Sequence, residues 1–121
     1  MLKTLLIIAL TITGIGAVLA AELQTSVPQR FQGDWNADPQ DCSADLSESQ
    51  LLIAGAEIAF YESAGPIIAV VTRGDHEVAL VSELSGEGEN WLAYNLFRLS
   101  DDGMQLIDIT ENADFVRYRC P

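Results

Sequence analysis

Residues 67–103 read IIAVVTRGDHEVALVSELSGEGENWLAYNLFRLSDDG, and this stretch decides the fold class. IIAVVTR is a near-continuous β-branched run, as expected of a strand buried on most sides. After a GDH turn, EVALVSEL sets Val78, Leu80 and Leu84 against Glu77 and Glu83, a period of two. SGEGEN reads as a loop and WLAYNLFRLS as the longest strand. SDDG reads as a tight turn with Gly103 in a left-handed conformation.

The same rhythm continues on both sides. Upstream, QLLI and EIAFYE flank a hairpin signal at Ala54-Gly55, with Ile58 and Phe60 facing one way and Glu57, Ala59 and Tyr61 the other. SAGP then turns the chain into residue 67. FQGDW is a first strand; MQLIDIT and FVRYRC are the last two. Apolar segments separated by turn punctuation every 8 to 12 residues are the all-β signature. The only helical expectation is a single turn around SADLSES, capped by Ser43 or Asp45. The pattern predicts a single small antiparallel meander of seven or eight strands. Closing it into a barrel removes the exposed edges, and a β-sandwich is the alternative.

The ends frame this domain. Residues 1–20 carry Lys3, an apolar run to about Leu19 and the small-residue pattern Val18-Leu19-Ala20. These are the parts of a secretory signal peptide, and the run is short of the roughly 20 residues that span a bilayer. Residues 21–30, AELQTSVPQR, read as an extended N-terminal arm, and residues 31–121 as the barrel. Export makes Cys42 and Cys120, the only two cysteines, a disulfide before anything else. Such a bridge ties the segment after the first strand to the end of the last. In a closed meander those strands are neighbours, so the bridge pins the closure. The expected location is periplasmic or secreted, with no stable membrane insertion after cleavage.

Removing residues 1–20 takes away Lys3 and leaves five arginines against 18 acidic residues, a formal charge of −13. A surface of that sign repels phosphate backbones, so nucleic acid is excluded as a partner. The lack of lysine beside so many acids fits a salty habitat, ordinary solubility through net charge, or a cationic partner.

Gly33-Asp34-Trp35 near the start of a small secreted meander resembles the Gly-x-Trp opening of the calycin, or lipocalin-like, barrels. That resemblance implies a structural role at one barrel end for Gly33 and Trp35. In style the chain is similar to the bacterial alkaline-protease inhibitor family, which implies a periplasmic eight-stranded barrel that blocks secreted metalloproteases with its N-terminal arm. The second cysteine departs from that family, where it follows soon after the first. The wider pattern also resembles small secreted proteins of alphaproteobacteria.

Catalytic chemistry is hard to assemble from these residues. His76 is the only histidine and falls in the GDH turn, away from any nucleophile and orienting acid. Arg73-Gly74-Asp75 spells an adhesion tripeptide but suits a hairpin turn. Asp38, Asp41 and Asp45 lack the alternating ligands and central glycine of a calcium loop. SGEGEN lacks the lysine and helix of a phosphate loop. Asp101-Asp102 reads as surface charge, and Trp35 and Trp91 as core or barrel-end residues. Arg117 and Arg119 share a face of the last strand, where they pair with acids or make a contact at the barrel rim. No catalytic residue, cofactor or metal is assigned. The expectation is a non-enzymatic monomer that binds a protein partner, with protease or hydrolase inhibition through the arm as the leading form. A small-molecule carrier and a structural envelope protein are the alternatives.

Overall fold

The computed structural model describes residues 19–43, 47–111 and 114–121. The expected signal peptide at residues 1–20 lies outside these except for Leu19 and Ala20, as do positions 44–46 of the expected helical turn at residues 43–49. Nine strands form in chain order: β1 Ala21–Gln24, β2 Gly33–Asn36, β3 Leu51–Ile53, β4 Glu57–Ala59, β5 Ala64–Arg73, β6 Glu77–Gly86, β7 Glu89–Leu99, β8 Gln105–Asp108 and β9 Phe115–Arg119. Two short 3-10 helices, Gln29–Phe31 and Pro39–Ser43, flank β2.

Strands β2 to β9 each pair antiparallel with the next, and β9 returns to pair with β2, so eight strands close into a barrel. The barrel reading of the sequence therefore holds over the sandwich. β1 lies outside this ring and continues the β4 position along β5, with Ala21 opposite Arg73 and Gln24 opposite Val70. The arm at residues 21–30 is thus extended only in its first half, and that half is zipped onto the barrel. Its second half enters the fold: Val27 is buried and Phe31 ends a 3-10 turn with its ring in the core.

Alternation fills the interior. Val78, Leu80 and Leu84 on β6 face Phe97 and Leu99 on β7, Leu106 on β8, and Trp35, Leu51, Ile53 and Ile58 across the barrel, all buried. Three local expectations need correcting. The turn before β5 is at residues 61–63, because Ala64-Gly65-Pro66 already pair with β4. Gly65 belongs in a strand because the β6 backbone passes so close that a Cβ would lie 1.9 Å from the Glu83 carbonyl. IIAVVTR is not buried on most sides either. A bulge between Ile67 and Ala69 resets the alternation, turning Ile67 and Val70 inward and leaving Ile68 55% exposed. SGEGEN is not a loop. β6 and β7 stay paired to Gly86 and Glu89, leaving a two-residue turn of Glu87 (φ 51°) and Gly88 (φ 78°), the left-handed pair of a type I′ hairpin. Gly103 takes the left-handed conformation expected of SDDG, at φ 73°.

Candidate functional site

The β2–β9 seam gathers most of the residues singled out in the sequence. Trp35 opposes Arg119 and Asn36 opposes Tyr118, after which Cys120 N–H donates to the Asp34 carbonyl at 2.8 Å. Cys42 and Cys120 form the disulfide, with Cα atoms 5.5 Å apart. Trp35 is fully buried and its indole N–H donates to the Phe31 carbonyl. The Arg119 guanidinium stacks 4.1 Å from its ring centre and donates to the carbonyls of Arg30, Gln32 and Gly103. One side chain thus joins the incoming chain, β2 and the β7–β8 turn. Gly33 shows why the Gly-x-Trp step is needed here. Its φ is +142°, and a Cβ on it would lie 2.9 Å from Arg119 Nη1. Arg119 is held by backbone carbonyls and an aromatic face, not by the acids the sequence suggested.

Arg117 lies in a different setting. It opposes Leu106, which is buried, so it faces the barrel interior. Its Nε donates to the Ser49 carbonyl at 2.7 Å, and its plane lies 4.6 Å from the Phe115 ring centre. Burial lowers its pKa, and Asp108, with an oxygen 4.0 Å from Nη1, partly opposes that. Asp108 opposes Phe97, Asn95 opposes Leu80, and Ser82 lies between Ile67 and Ala93, so all three face inward as well. Among the described residues, Arg117 Nη1, Asn95 Oδ1 and Ser82 Oγ are buried without a hydrogen-bond partner, as is Asn36 Oδ1 at the seam. Four consecutive strands, β6 to β9, therefore carry an inward polar group each, facing an apolar wall.

The remaining sequence candidates are dispersed. His76 is in the β5–β6 turn and its Nε2 lies 3.2 Å from Asp101, linking that turn to the next one at the same end. In Arg73-Gly74-Asp75, Arg73 bonds Glu77 and the carbonyls of Gly74 and Asp75 accept from Arg30, so the tripeptide is tied into the fold. Asp38 accepts from the Gln40 amide, and no three His, Cys, Asp or Glu side chains converge on a common point among the described residues. Asp45 lies outside them. Asp102 has its pKa lowered by the Ser100 hydroxyl first and the Met104 amide second. Of the two expectations for Trp91, core or barrel end, the structure places it at the end: it opposes buried Leu84 next to the β6–β7 turn, beside Glu62 and Glu89, and is 41% exposed.

Two surface features escaped the sequence reading. Among the described residues, β1 is the one strand with a neighbour on a single side, and its Leu23 is 78% exposed. The outward face of β5, β6 and β7 is apolar over its middle and holds a shallow recess of about 220 Å³ among Val71, Ala79, Tyr94 and Leu96. The first was hidden because nothing in the sequence says which strand β1 joins, and the second because the rows form only once the β5–β6–β7 register is set.

The disulfide fits an oxidising compartment, and no helix among the described residues is long and apolar enough to cross a membrane. No protein-family model, no functionally characterised protein and no solved structure matches the chain.

Proposed function

We propose that the chain is a non-enzymatic, exported β-barrel of the calycin kind that binds a protein partner in the periplasm or outside the cell, with inhibition of a protease or other hydrolase as its leading form. One observation carries the partner-binding reading: β1 is extended, paired on one side only, and presents Leu23 outward on an otherwise closed barrel. An open strand edge offers backbone N–H and C=O groups to an extended segment of a partner, and the side chains beside it supply selectivity. The arm acts as a strand held on the barrel, so removing all of residues 21–29 would also remove buried Val27 and test folding instead of binding. The calycin resemblance draws support from Gly33 and Trp35 under Arg119 at the start of the ring.

The test uses a panel of purified secreted metalloproteases and serine proteases, with residual peptide hydrolysis measured against added protein. Wild type inhibits at least one enzyme stoichiometrically, and Leu23→Asp loses that inhibition while keeping its melting temperature. No inhibition anywhere in the panel overturns the inhibitory form; inhibition indifferent to Leu23→Asp overturns the assignment to β1.

The carrier reading has a specific observation of its own, the unpartnered groups of Ser82, Asn95 and Arg117 inside the barrel. Buried polar groups of this sort take up water or a small polar molecule. Native mass spectrometry distinguishes the two: a displaceable organic mass supports a carrier, and bare protein leaves water.

A further inference from the structure

The inward polar groups of β6 to β9 lie in one line. Ser82 opposes Ala93 and Asn95 opposes Leu80, so Ser82 and Asn95 are diagonal neighbours. Asp108 opposes Phe97, which sets it diagonal to Asn95, and Arg117, opposite Leu106, is diagonal to Asp108. Such neighbours are about 7–8 Å apart or closer, within reach of long side chains. The barrel wall is open beside the middle of this line. β7 pairs with β8 only through residues 97–99, and Leu96 is then met by the Ile109 amide and the Thr110 hydroxyl. Towards Glu89 no strand lies on that side of β7 among the described residues. A recess of about 350 Å³ opens there, lined by Tyr94, Asn95, Asp108, Thr110, Glu111 and Phe115. Asn95 and Asp108 face the interior and also line this surface recess, so it is a side mouth of the barrel.

Behind this mouth, Arg117 and Asp108 form an ion pair that is held apart. Nη1 and Oδ2 are 4.0 Å apart, well beyond the about 2.7–2.9 Å of a charge-assisted hydrogen bond. Nη1 has no hydrogen-bond partner. Asp108 Oδ1 is taken by the Thr110 amide and hydroxyl, and Oδ2 receives no donor among the described residues. The two side chains are only 11% and 20% exposed, and charges so far out of water need hydrogen bonds of their own. The arginine lacks an acceptor and the aspartate lacks a donor, with the unpaired Asn95 amide beside them. We propose that the side mouth admits a free α-amino acid, whose carboxylate reaches Arg117 Nη1 and whose ammonium is held by Asp108 and Asn95. This rests on the carrier reading above and names the chemical class of the cargo.

Simpler occupants fit less well. A water takes about 30 Å³ of liquid, and the recess has room for several times that. A plain carboxylate is repelled by the −13 charge that the chain carries without residues 1–20, and again by Asp108 and Glu111 at the mouth. A plain amine suits those acids but leaves Arg117 Nη1 unpaired. An α-amino acid is neutral overall and carries both groups on one carbon. Its side chain stays in the mouth between Tyr94 and Phe115, which are 53% and 45% exposed.

Isothermal titration calorimetry on the dialysed, disulfide-bonded protein from an exporting host tests this. The probes are L-leucine, isopentylamine (leucine without its carboxylate) and isocaproate (leucine without its ammonium). The expected result is one leucine bound per chain, with each truncated probe at least about tenfold weaker. Arg117→Met weakens leucine by a similar factor and leaves isopentylamine no weaker, because the amine never used that partner. Asn95→Leu, an exchange of similar volume, keeps or raises the melting temperature and removes leucine binding, so the test survives a misfolded Arg117→Met. Isopentylamine bound as tightly as leucine, or leucine binding indifferent to both substitutions, would overturn the proposal. Failure of all three probes to bind overturns it as well, and native mass spectrometry of the undialysed protein then separates the two levels. A displaceable organic mass of another kind overturns only the amino-acid class, whereas bare protein overturns the carrier reading with it. Leu23→Asp, which tests the β1 reading, leaves leucine binding intact.

Discussion

Replacing both cysteines, Cys42→Ser with Cys120→Ser, should cost this protein more stability than any other change confined to its surface. The bridge spans a sequence separation of 78 residues, and the seam it guards is narrow, with two opposed pairs of residues between β2 and β9. On the chain-entropy relation a loop of that length removes about 15 cal/mol/K from the unfolded chain, or about 4.5 kcal/mol at 25 °C. A domain of this size holds about 5–15 kcal/mol in total, so a third or more of its stability is at stake. At about 4–8 °C per kcal/mol, the melting temperature should fall by about 20 °C or more. Urea unfolding followed by tryptophan fluorescence measures the loss. The native spectrum should stay the same, because Arg119 still bonds three carbonyls across the seam. A loss below about 1 kcal/mol would refute the reasoning, since it would mean the unfolded chain already keeps its two ends together.

Three further changes probe other parts of the account. Arg119→Lys removes the planar stack on Trp35 and cannot make the same three carbonyl contacts, so it should cost about 2–4 kcal/mol in thermal or urea unfolding. Gly65→Ala drives a Cβ into the Glu83 carbonyl, and should either lower the melting temperature by about 10 °C or more or prevent accumulation of folded protein. The Ser100 hydroxyl, and after it the Met104 amide, hold the Asp102 pKa below the usual carboxylate value. A carboxylate shifted down in the folded state stabilises above its unfolded pKa, and that contribution fades as pH falls through the folded pKa. A carboxyl NMR titration should therefore place the Asp102 midpoint below that of an unperturbed aspartate, and Ser100→Ala should move it upward.

Period-two alternation and turn chemistry made the meander legible from the sequence. Val78, Leu80 and Leu84 lie inside as their spacing required, and Ala54-Gly55 and Ser100–Gly103 turn where expected. The cysteine pair was legible because the sequence holds two cysteines, which leaves Cys42 one partner. What sequence could not supply was close approach. Gly65-Pro66 carries turn residues, yet the crowding of β6 puts them in a strand. The β-branched run at residues 67–71 looked buried because a bulge, which has no compositional mark, sets its faces. Arg119 looked like one of several arginines awaiting an acid. Its actual partners are backbone carbonyls from residues distant in sequence, which only the closed seam assembles. The apolar outward face of β5, β6 and β7 was hidden for a similar reason: Val71, Val81 and Tyr94 lie far apart along the chain and form one face only once the register is known.

Closure of the ring carries the whole account, because only a closed ring leaves β1 as the strand with an unfilled side. The most direct test is a through-hydrogen-bond scalar coupling between the Cys120 amide nitrogen and the Asp34 carbonyl carbon, measured by NMR on the isotopically labelled protein. The account predicts a detectable coupling, together with slow amide exchange at Cys120, as a 2.8 Å bond across the seam requires. Absence of the coupling with fast exchange at Cys120 would mean that β2 and β9 stand apart, and that the protein is an open sheet held only by its disulfide.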